Sequence, residues 1–386
     1  DTKAIFDELD INIDPRARVG TLSVSQMQMI EIAKAFSYDA KIVIMDEPTS
    51  SLTEKEVNHL FKIIRKLKDR GCGIVYISHK LAEIRRICDR YTVMKDGSSV
   101  CSGMVSDVSN DDIVRLMVGR ELQNRFNAMK ENVSNLAHDT VFEVRNVTSR
   151  DRKKVRDISF SVCRGEILGF AGLVGSGRTE LMNCLFGVDK RAGGEIRLNG
   201  KDISPRSPLD AVKKGMAYIT ESRRDNGFFP NFSIAQNMAI SRSLKDGGYL
   251  GSMGLFHEVD EQRTAEAQRE LLALKCHSVN QNITELSGGN QQKALISKWL
   301  CCRPEVIIFD EPTRGIDVGA KAEIYKVMRQ LADDGKVILM VSSELPEIIT
   351  VCDRIAVFCE GRLTQILTNR DDMSEEEIMA WALPQE

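Results

Sequence analysis

Two acidic residues, Asp310 and Glu311, follow directly after the apolar run Val306–Phe309 and could do metal-dependent chemistry. Four apolar residues without alternation indicate a strand buried on both faces, as in a parallel sheet covered by helices. At the carboxyl end of such a strand, Asp310 could hold a magnesium ion and Glu311 could polarise an attacking water. An isolated acidic pair would more simply be a solvated strand end. The stretch LSGGNQQ, residues 286–292, precedes it closely and favours a nucleotide site.

Two glycine-containing segments could bind phosphate. Gly288 and Gly289 lack Cβ atoms, so their backbone can approach an anion closely at the positive end of the following helix. The segment GLVGSGRT fits the phosphate-loop pattern GxxxxGK[ST] at every position but one, because Arg178 stands where lysine is expected. The predicted phosphate-binding residues are Gly172, Gly175, Ser176, Gly177, Arg178 and Thr179, and the Thr179 hydroxyl is also expected on magnesium.

An internal repeat organises these segments. Residues 22–97 match residues 286–361 without a gap, since every paired position differs by 286 − 22 = 264. Asp46 therefore pairs with Asp310, and His79 pairs with Ser343. The two copies are expected to be tandem domains of one fold. Because 172 − 264 = −92, the first copy's phosphate loop is expected about ninety residues before Asp1, and the chain is expected to be an N-terminally truncated fragment.

The remaining sequence supplies the elements that must position these residues. The basic run Arg150–Arg156 is interpreted as a solvated hairpin turn, although a run of this charge could also contact nucleic acid. The predicted domains are the C-terminal part of a first domain at 1–120, a linker at 121–139 and a second domain at 140–386. The predicted elements are antiparallel strands at Val141–Val147 and Ile158–Val162, a strand at Ile167–Ala171, a helix at Glu180–Phe186 and an amphipathic helix at Ser374–Leu383.

Length, charge and composition exclude several classes. A chain of 386 residues is expected to hold about two domains. Its net charge of −3 gives no electrostatic reason to expect nucleic acid. No apolar run approaches the roughly 20 residues that cross a bilayer. The ten cysteines form no CxxC pair, which indicates buried thiols rather than a metal site.

These motifs together resemble the ATP-binding cassette ATPases. LSGGNQQ is similar to the family's signature, VIIFDEP to its Walker B strand, and RGID to the loop that crosses its dimer interface. The resemblance covers most of the chain. It implies an α/β P-loop NTPase cassette in tandem copies, the first incomplete: a parallel core sheet with helices, an antiparallel β edge and a helical subdomain. It also implies ATP and Mg²⁺ as cofactors.

In this family each ATP lies between the phosphate loop of one copy and the signature of the other. The first site would then combine the upstream loop with Asp46 for magnesium, Glu47 to activate water, His79 at the γ-phosphate, and the signature Ser287, Gly288, Gly289 and Asn290. The second site would combine Gly172–Thr179 with Asp310 for magnesium, the catalytic Glu311, Ser343, Glu221 at the family's glutamine position, and the signature residues Ser23 and Ser25.

The second site departs from the family's pattern. Arg178 replaces the compact lysine, Ser343 is too short and uncharged for a histidine's task, and Val24 and Ser25 add Cβ atoms where bare backbone is expected. We therefore expect it to bind ATP but to turn it over slowly.

Within the family, the GRT loop and the run DEPTRGIDVGAK resemble the sugar-importer ATPases, and the first copy resembles the galactose/methyl galactoside branch. This implies a peripheral protein on the cytoplasmic face of the bacterial inner membrane. Its partners would be transmembrane permease subunits and, through them, a periplasmic sugar-binding protein, with no nucleic acid. The alternatives are a ribose or xylose importer ATPase, a soluble twin-cassette translation factor, and a nucleotide-binding scaffold without turnover.

Overall fold

The computed structural model describes residues 2–38, 40–49, 52, 54–78, 81–95, 98–109, 112–113, 139–173, 175–246, 258–370 and 372–383. Contacts divide the chain into two compact units, Asp1–Arg120 and Glu121–Glu386, and each is described by itself. Of the predicted linker at 121–139, only Asp139 is described. His79, predicted to contact the γ-phosphate, also lies outside the described residues. None of the helices in the described ranges is both long and apolar enough to span a membrane.

The described residues of the first unit form two small sheets and four α-helices. Its strands β1 and β2 pair in parallel, and β3 and β4 pair antiparallel. Its core is formed by residues of α2, α3 and the buried face of β1, including Ile32, Val43 and Leu60. The elements are α1 Thr2–Glu8, α2 Val24–Ser37, β1 Ile42–Asp46, α3 Glu54–Asp69, β2 Gly73–Ile77, α4 Leu81–Ile87, β3 Arg90–Lys95 and β4 Ser98–Met104.

The second unit is built on a six-stranded sheet in the order β10-β11-β12-β7-β13-β14, parallel except for β14. Every residue of β11 and β12 is buried, which confirms the double-sided burial expected from unbroken apolar runs. The strands are β7 Ile167–Gly172, β10 Met216–Ile219, β11 Val306–Asp310, β12 Val337–Val341, β13 Arg354–Cys359 and β14 Arg362–Thr368.

A second, antiparallel sheet covers one side of this unit in the order β6-β5-β8-β9. The two predicted antiparallel strands pair as expected, and the run Arg150–Arg156 lies in the turn between them, with Val155 buried in the core. The strands are β5 Thr140–Ser149, β6 Ile158–Cys163, β8 Arg191–Leu198 and β9 Lys201–Asp202.

Helices pack on both faces of the parallel sheet, and α7, α8 and the start of α9 share a core of their own around Ile234 and Leu295. This matches the predicted helical subdomain. The helices are α5 Arg178–Phe186, α6 Pro208–Lys213, α7 Ile234–Asp246, α8 Glu258–Leu271, α9 Gly288–Leu300, α10 Val318–Asp333, α11 Leu345–Val351 and α12 Glu375–Ala382.

The repeat is preserved in three dimensions. From β1 to β4, each element begins and ends 264 positions before its counterpart in the run β11 to β14. The irregularity in the β3–β4 pairing at Val93 also recurs in the β13–β14 pairing at Val357. The tandem copies of one cassette fold are therefore confirmed.

Within the described residues, one face of the first unit's parallel sheet is exposed. Ile42 and Ile44 are 68% and 69% exposed, whereas their counterparts Val306 and Ile308 are fully buried. In the second unit, the counterparts belong to a core shared with Leu181 of α5. The first unit thus presents the apolar face that the glycine-loop helix and the antiparallel sheet cover in the second.

This difference predicts unequal effects of one substitution at equivalent positions. Ile308→Ala should lower the free energy of unfolding of the second unit by about 2–5 kcal/mol, because it leaves a cavity in a closed core. Ile44→Ala should change that of the first unit by less than about 1 kcal/mol, since the side chain is already in water. Urea unfolding of the two variants measures both values, and similar losses would contradict the exposed face.

Candidate nucleotide site

The carboxyl ends of three parallel strands meet at one edge of the second unit's sheet. The glycine loop follows β7, the acidic pair ends β11, and Ser342 and Ser343 follow β12, which lies between those two strands. Parallel strands place their carboxyl ends together, so this edge is where an open α/β sheet binds ligands. The structure therefore brings the predicted phosphate loop, acidic pair and switch position into one site.

Three glycines shape the loop, and each has a positive φ: +151° at Gly172, +81° at Gly175 and +104° at Gly177. A Cβ atom on Gly172 would lie 2.5 Å from the Phe358 carbonyl oxygen, and one on Gly177 would lie 2.3 Å from that of Lys154. At Gly175 the space around a Cβ is open, and only the backbone conformation requires glycine. These glycines are thus fixed by turn geometry and close packing.

The loop fits a phosphate. The Ser176 hydroxyl is buried and has no hydrogen-bond partner in the described part of the chain, a costly arrangement that a phosphate oxygen would relieve. Helix α5 begins at Arg178, two residues before the predicted start, with Gly177 as its N-cap residue. The amide groups of its first turn therefore follow the loop directly, where a helix end attracts anions.

Arg178 is buried and faces the loop after β12. Its Nη1 atom donates a hydrogen bond to the Ser342 carbonyl oxygen at 2.5 Å. Burial lowers the pKa of Arg178 from its ordinary value, although the charges of Glu311 and Asp310 act in the opposite direction. A guanidinium stays charged through such shifts, so Arg178 keeps the positive charge that the phosphate loop needs.

Asp310 is almost fully buried and accepts two hydrogen bonds. The Thr179 hydroxyl donates to Oδ1 at 3.3 Å, and the Tyr218 hydroxyl donates to Oδ2 at 2.9 Å. Burial raises the pKa of Asp310 despite these donors and the nearby charge of Arg178. Among the described residues, no three His, Cys, Asp or Glu side chains form a metal cluster. One carboxylate and one hydroxyl suit Mg²⁺, which takes its remaining ligands from phosphates and water.

Glu311 has the strained left-handed backbone that often marks an active site, with φ at +49°. Its amide donates to the Val341 carbonyl oxygen at 2.9 Å, and the Ser343 hydroxyl donates to its carboxylate at 3.1 Å. Burial raises the pKa of Glu311 to about 7, against the charge of Arg178 and the hydrogen bond from Ser343. A carboxylate with this pKa is suited to accept a proton near neutral pH.

Glu47 is held in the same way in the first unit. Its φ is +46°, and its amide donates to the Ile77 carbonyl oxygen at 3.0 Å. Asp46 is exposed at the end of β1. The repeat therefore extends to the backbone strain of both predicted catalytic glutamates.

The predicted signature residues of the second unit also have local packing reasons. A Cβ on Gly289 would lie 2.5 Å from Ala320 Cβ of α10, so glycine allows the two helices to touch. Asn290 donates to the Ser287 hydroxyl at 3.0 Å and accepts from the Lys275 amide at 2.9 Å. The predicted contacts of Ser287, Gly288, Gly289 and Asn290 with ATP stay predictions.

In the first unit, Ser23 closes the N-terminus of α2. Its hydroxyl accepts from the Gln26 amide, while the Gln26 side chain accepts from the Ser23 amide, and the Ser25 hydroxyl lies 3.0 Å from that of Ser23. This capping box could have been found from the spacing of serine and glutamine in the sequence. It gives Ser23 and Ser25 a structural role beside their predicted contact with ATP.

Glu221 forms an ion pair with Arg314, which lies in the loop after β11. Nearby, Arg223 donates to the carbonyl oxygens of Gly288 at 2.7 Å and Gly315 at 3.0 Å. These contacts connect the segment at 221–223, the start of α9 and the loop after β11. Arg314 begins the RGID segment singled out in the sequence, but no motif pointed to its ion pair with Glu221 or to Arg223.

Sequence reasoning also missed residues whose hydrogen bonds position the site. Tyr218 holds Asp310, while Ser342 and Glu347 hold the loop after β12. These side chains come from separate strands and helices, and no local pattern marks them. Of the predicted site residues, those at 172–179, Asp310, Glu311 and Ser343 share the edge of one sheet. Ser23, Ser25, Asp46 and Glu47 belong to the other unit.

Comparison with known proteins gives consistent similarities. The family described as ABC transporter matches residues 155–314. The D-allose import ATP-binding protein AlsA of Escherichia coli (strain K12) is 90% identical over 376 residues, covering 97% of this chain and 74% of that protein. The galactose/methyl galactoside import ATP-binding protein MglA of the same strain is 50% identical over 376 residues, covering 97% and 73%.

A solved structure supports the architecture. An ATP-binding cassette of an ABC transporter matches with a TM-score of 0.54 at 21% identity, covering 64% of this chain and 99% of that chain. At this identity the similarity shows the fold alone. It confirms the α/β cassette fold predicted from the glycine loop, the acidic pair and the repeat.

Proposed function

The chain belongs to the ATP-binding proteins of ABC sugar importers, and from this premise we propose that the sugar whose import it drives is D-allose. Members of this group are ATPases, so the expected enzyme class is confirmed. The proposal for the sugar is supported by 90% identity to a D-allose import protein, against 50% to a galactose/methyl galactoside import protein.

Galactose or methyl galactoside, which the sequence analysis favoured, is the second candidate. The comparisons do not confirm it, because the more similar of these two relatives is named for D-allose. No motif in the chain resembles a sugar pocket, so we propose that sugar specificity resides in the partners. These would be transmembrane permease subunits and a periplasmic sugar-binding protein, with this chain peripheral on the cytoplasmic face of the inner membrane.

One observation supports ATP binding by this chain. In the glycine loop, the buried Ser176 hydroxyl has no hydrogen-bond partner in the described residues, and the hydrogen-bonded pair Thr179 and Asp310 lies beside this loop. We assign phosphate binding to Gly172–Thr179. Asp310 and Thr179 would hold Mg²⁺, which when bound neutralises charge on the phosphate oxygens. Glu311 orients water and accepts its proton, a role that suits its raised pKa.

We further propose two composite sites of unequal activity. The first uses Asp46, Glu47, His79 and the signature at Ser287–Gly289, and it does most of the hydrolysis. The second uses the described phosphate loop, and it works slowly because Ser343 replaces a histidine and Arg178 replaces a lysine. The predicted contact of Glu221 with the nucleotide belongs to this second site.

Uptake of labelled sugars tests the proposed substrate. Cells that lack the gene should lose uptake of D-allose and keep uptake of galactose, methyl galactoside, ribose and xylose. The wild-type gene should restore uptake, whereas a Glu47→Gln gene should not, because the transporter then lacks its main catalytic base. Loss of galactoside uptake instead would favour the second candidate. Unchanged uptake of all five sugars would contradict the importer function and return attention to a soluble twin-cassette factor or a scaffold without turnover.

A further inference from the structure

The loop after β12 is held by hydrogen bonds to one buried carboxylate, that of Glu347 in α11. Glu347 is 5% exposed and accepts from the Thr313 hydroxyl at 2.6 Å and the Lys321 ammonium group at 2.8 Å through Oε1. Through Oε2 it accepts from the Ser342 hydroxyl at 2.8 Å. A single side chain thus joins the loop after β11, helix α10 and the loop after β12.

The same carboxylate recurs in the first unit. Glu83 lies 347 − 83 = 264 positions earlier and accepts from the hydroxyls of Thr49 at 2.9 Å and Ser78 at 3.3 Å. Thr49 and Ser78 are the repeat counterparts of Thr313 and Ser342. Fastening these two loops to a buried glutamate is therefore a property of both copies.

The second copy shows a further contact on the other side of Ser342. The side chain of Ser342 points to Glu347, while its carbonyl oxygen accepts from Arg178 of the phosphate loop. Ser343, which stands where the first copy has His79, donates to Glu311. In this copy the phosphate loop is thus linked to the loop after β12 through the side chain of Arg178.

Arginine can make this contact and still bind phosphate. Its planar fork carries five N–H donors, and the bond from Nη1 to the carbonyl leaves donors on Nη2 and Nε for phosphate oxygens. A lysine presents one nitrogen, whose position would be a compromise between the carbonyl and the phosphates. The replacement of lysine by arginine therefore adds a link rather than only weakening the loop.

We propose that Arg178, Ser342 and Glu347 form a relay that reports the γ-phosphate bound at Gly172–Thr179 to the loop beginning at Thr313. Glu347 is a positioning residue in this relay, since it acts on nucleotide only through Ser342 and Arg178. The relay rests on the proposed binding of ATP to this phosphate loop. Its consequence is that ATP and ADP are distinguished at the second site even though the switch histidine is absent.

Nucleotide titration of the 386-residue chain tests the relay, because the chain contains a single sequence of the phosphate-loop type. Affinities for fluorescent ATP and ADP analogues are measured for the wild type, Arg178→Lys, Glu347→Gln and the double variant. The wild type should prefer ATP. Each single substitution should reduce the ratio of ATP to ADP affinity about tenfold, the scale of one hydrogen bond to a charged group.

The double variant provides the decisive comparison. Residues in one relay should not add their losses, so the double variant should show the ratio of the more affected single variant. Glu344→Gln is the matched control, because Glu344 also accepts from Lys321 at 2.8 Å, whereas within the described residues the hydroxyls of Ser342 and Thr313 donate to Glu347 and not to the Glu344 carboxylate. Its ratio should equal that of the wild type.

Other outcomes overturn the relay. If the wild type binds ATP but the losses are additive, or if Glu344→Gln loses as much as Glu347→Gln, then Glu347 only stabilises the fold and the relay is rejected while ATP binding stands. If the wild type binds neither nucleotide, the proposed function fails and the relay fails with it. Should Glu347→Gln unfold, Ser342→Ala removes the same hydrogen bond and should give the same loss of preference.

Discussion

Glu47→Gln is expected to abolish most ATP hydrolysis by the complete protein, whereas Glu311→Gln is expected to reduce it only slightly. Both glutamates directly follow a strand of a parallel sheet, β1 or β11, with the same left-handed backbone, so their backbone geometry does not separate them. Their surroundings do: the first copy has His79 where the second has Ser343, and the second phosphate loop carries Arg178 in place of lysine. Loss of the working base should lower the rate at least about a hundredfold.

Steady-state release of phosphate measures this asymmetry in a protein that carries both phosphate loops. Glu360→Gln is a useful control, because Glu360 has a similar left-handed φ of +46° but is exposed in the turn between β13 and β14. It should hydrolyse ATP like the wild type. Equal losses in Glu47→Gln and Glu311→Gln would contradict unequal sites, and a larger loss in Glu311→Gln would reverse their assignment.

The second large effect concerns stability and pH. Glu311→Gln should stabilise the second unit at pH 8 by up to about 3 kcal/mol, and the gain should disappear near pH 4.5. In the wild type, burial raises the pKa of Glu311 from 4.5 to about 7. The folded state therefore holds this proton more tightly than the unfolded state between these values. Stability is fully present below pH 4.5 and falls as pH rises through about 7, by roughly 1.4 kcal/mol per pKa unit.

Tryptophan fluorescence can follow this unfolding selectively, because both tryptophans, Trp299 and Trp381, belong to the second unit. Urea titrations of the wild type and Glu311→Gln are compared from pH 4.5 to pH 8. The difference between their free energies of unfolding should grow with pH, while Glu360→Gln should show no such trend. A difference that is constant with pH would show that the Glu311 carboxylate is not held near neutral pKa in the folded state.

Local patterns in the sequence predicted most of the fold. Unbroken apolar runs gave β7 and β11, alternation and length gave β5 and β6, and the glycine pattern gave the phosphate loop between β7 and α5. The start of α5 was placed at Glu180 rather than Arg178, because the arginine and threonine were assigned to the loop. The repeat was the strongest signal. Because the offset is constant over 76 residues, the bounds of each element in one copy predict those of its counterpart in the other.

The contacts that tune the site were beyond local patterns. Arg178 reaches a carbonyl 164 positions away, and Tyr218 reaches Asp310 across 92 positions. Such pairs depend on the order of strands in the sheet, which places β12 between β7 and β11. The identity of the transported sugar could not be predicted for a different reason. No motif in the chain resembles a sugar pocket, so the prediction of galactose followed resemblance alone and is not confirmed.

The constant offset between β1–β4 and β11–β14 also bears on how the two copies diverged. Two copies that differ at many positions have described helices and strands of the same length throughout this half. The proposed difference in ATP hydrolysis between the two sites therefore arises from side-chain substitutions, not from insertions or deletions in this half. At the position of His79 the two copies differ by one side chain, so Ser343→His would change the second copy toward the first without any insertion or deletion.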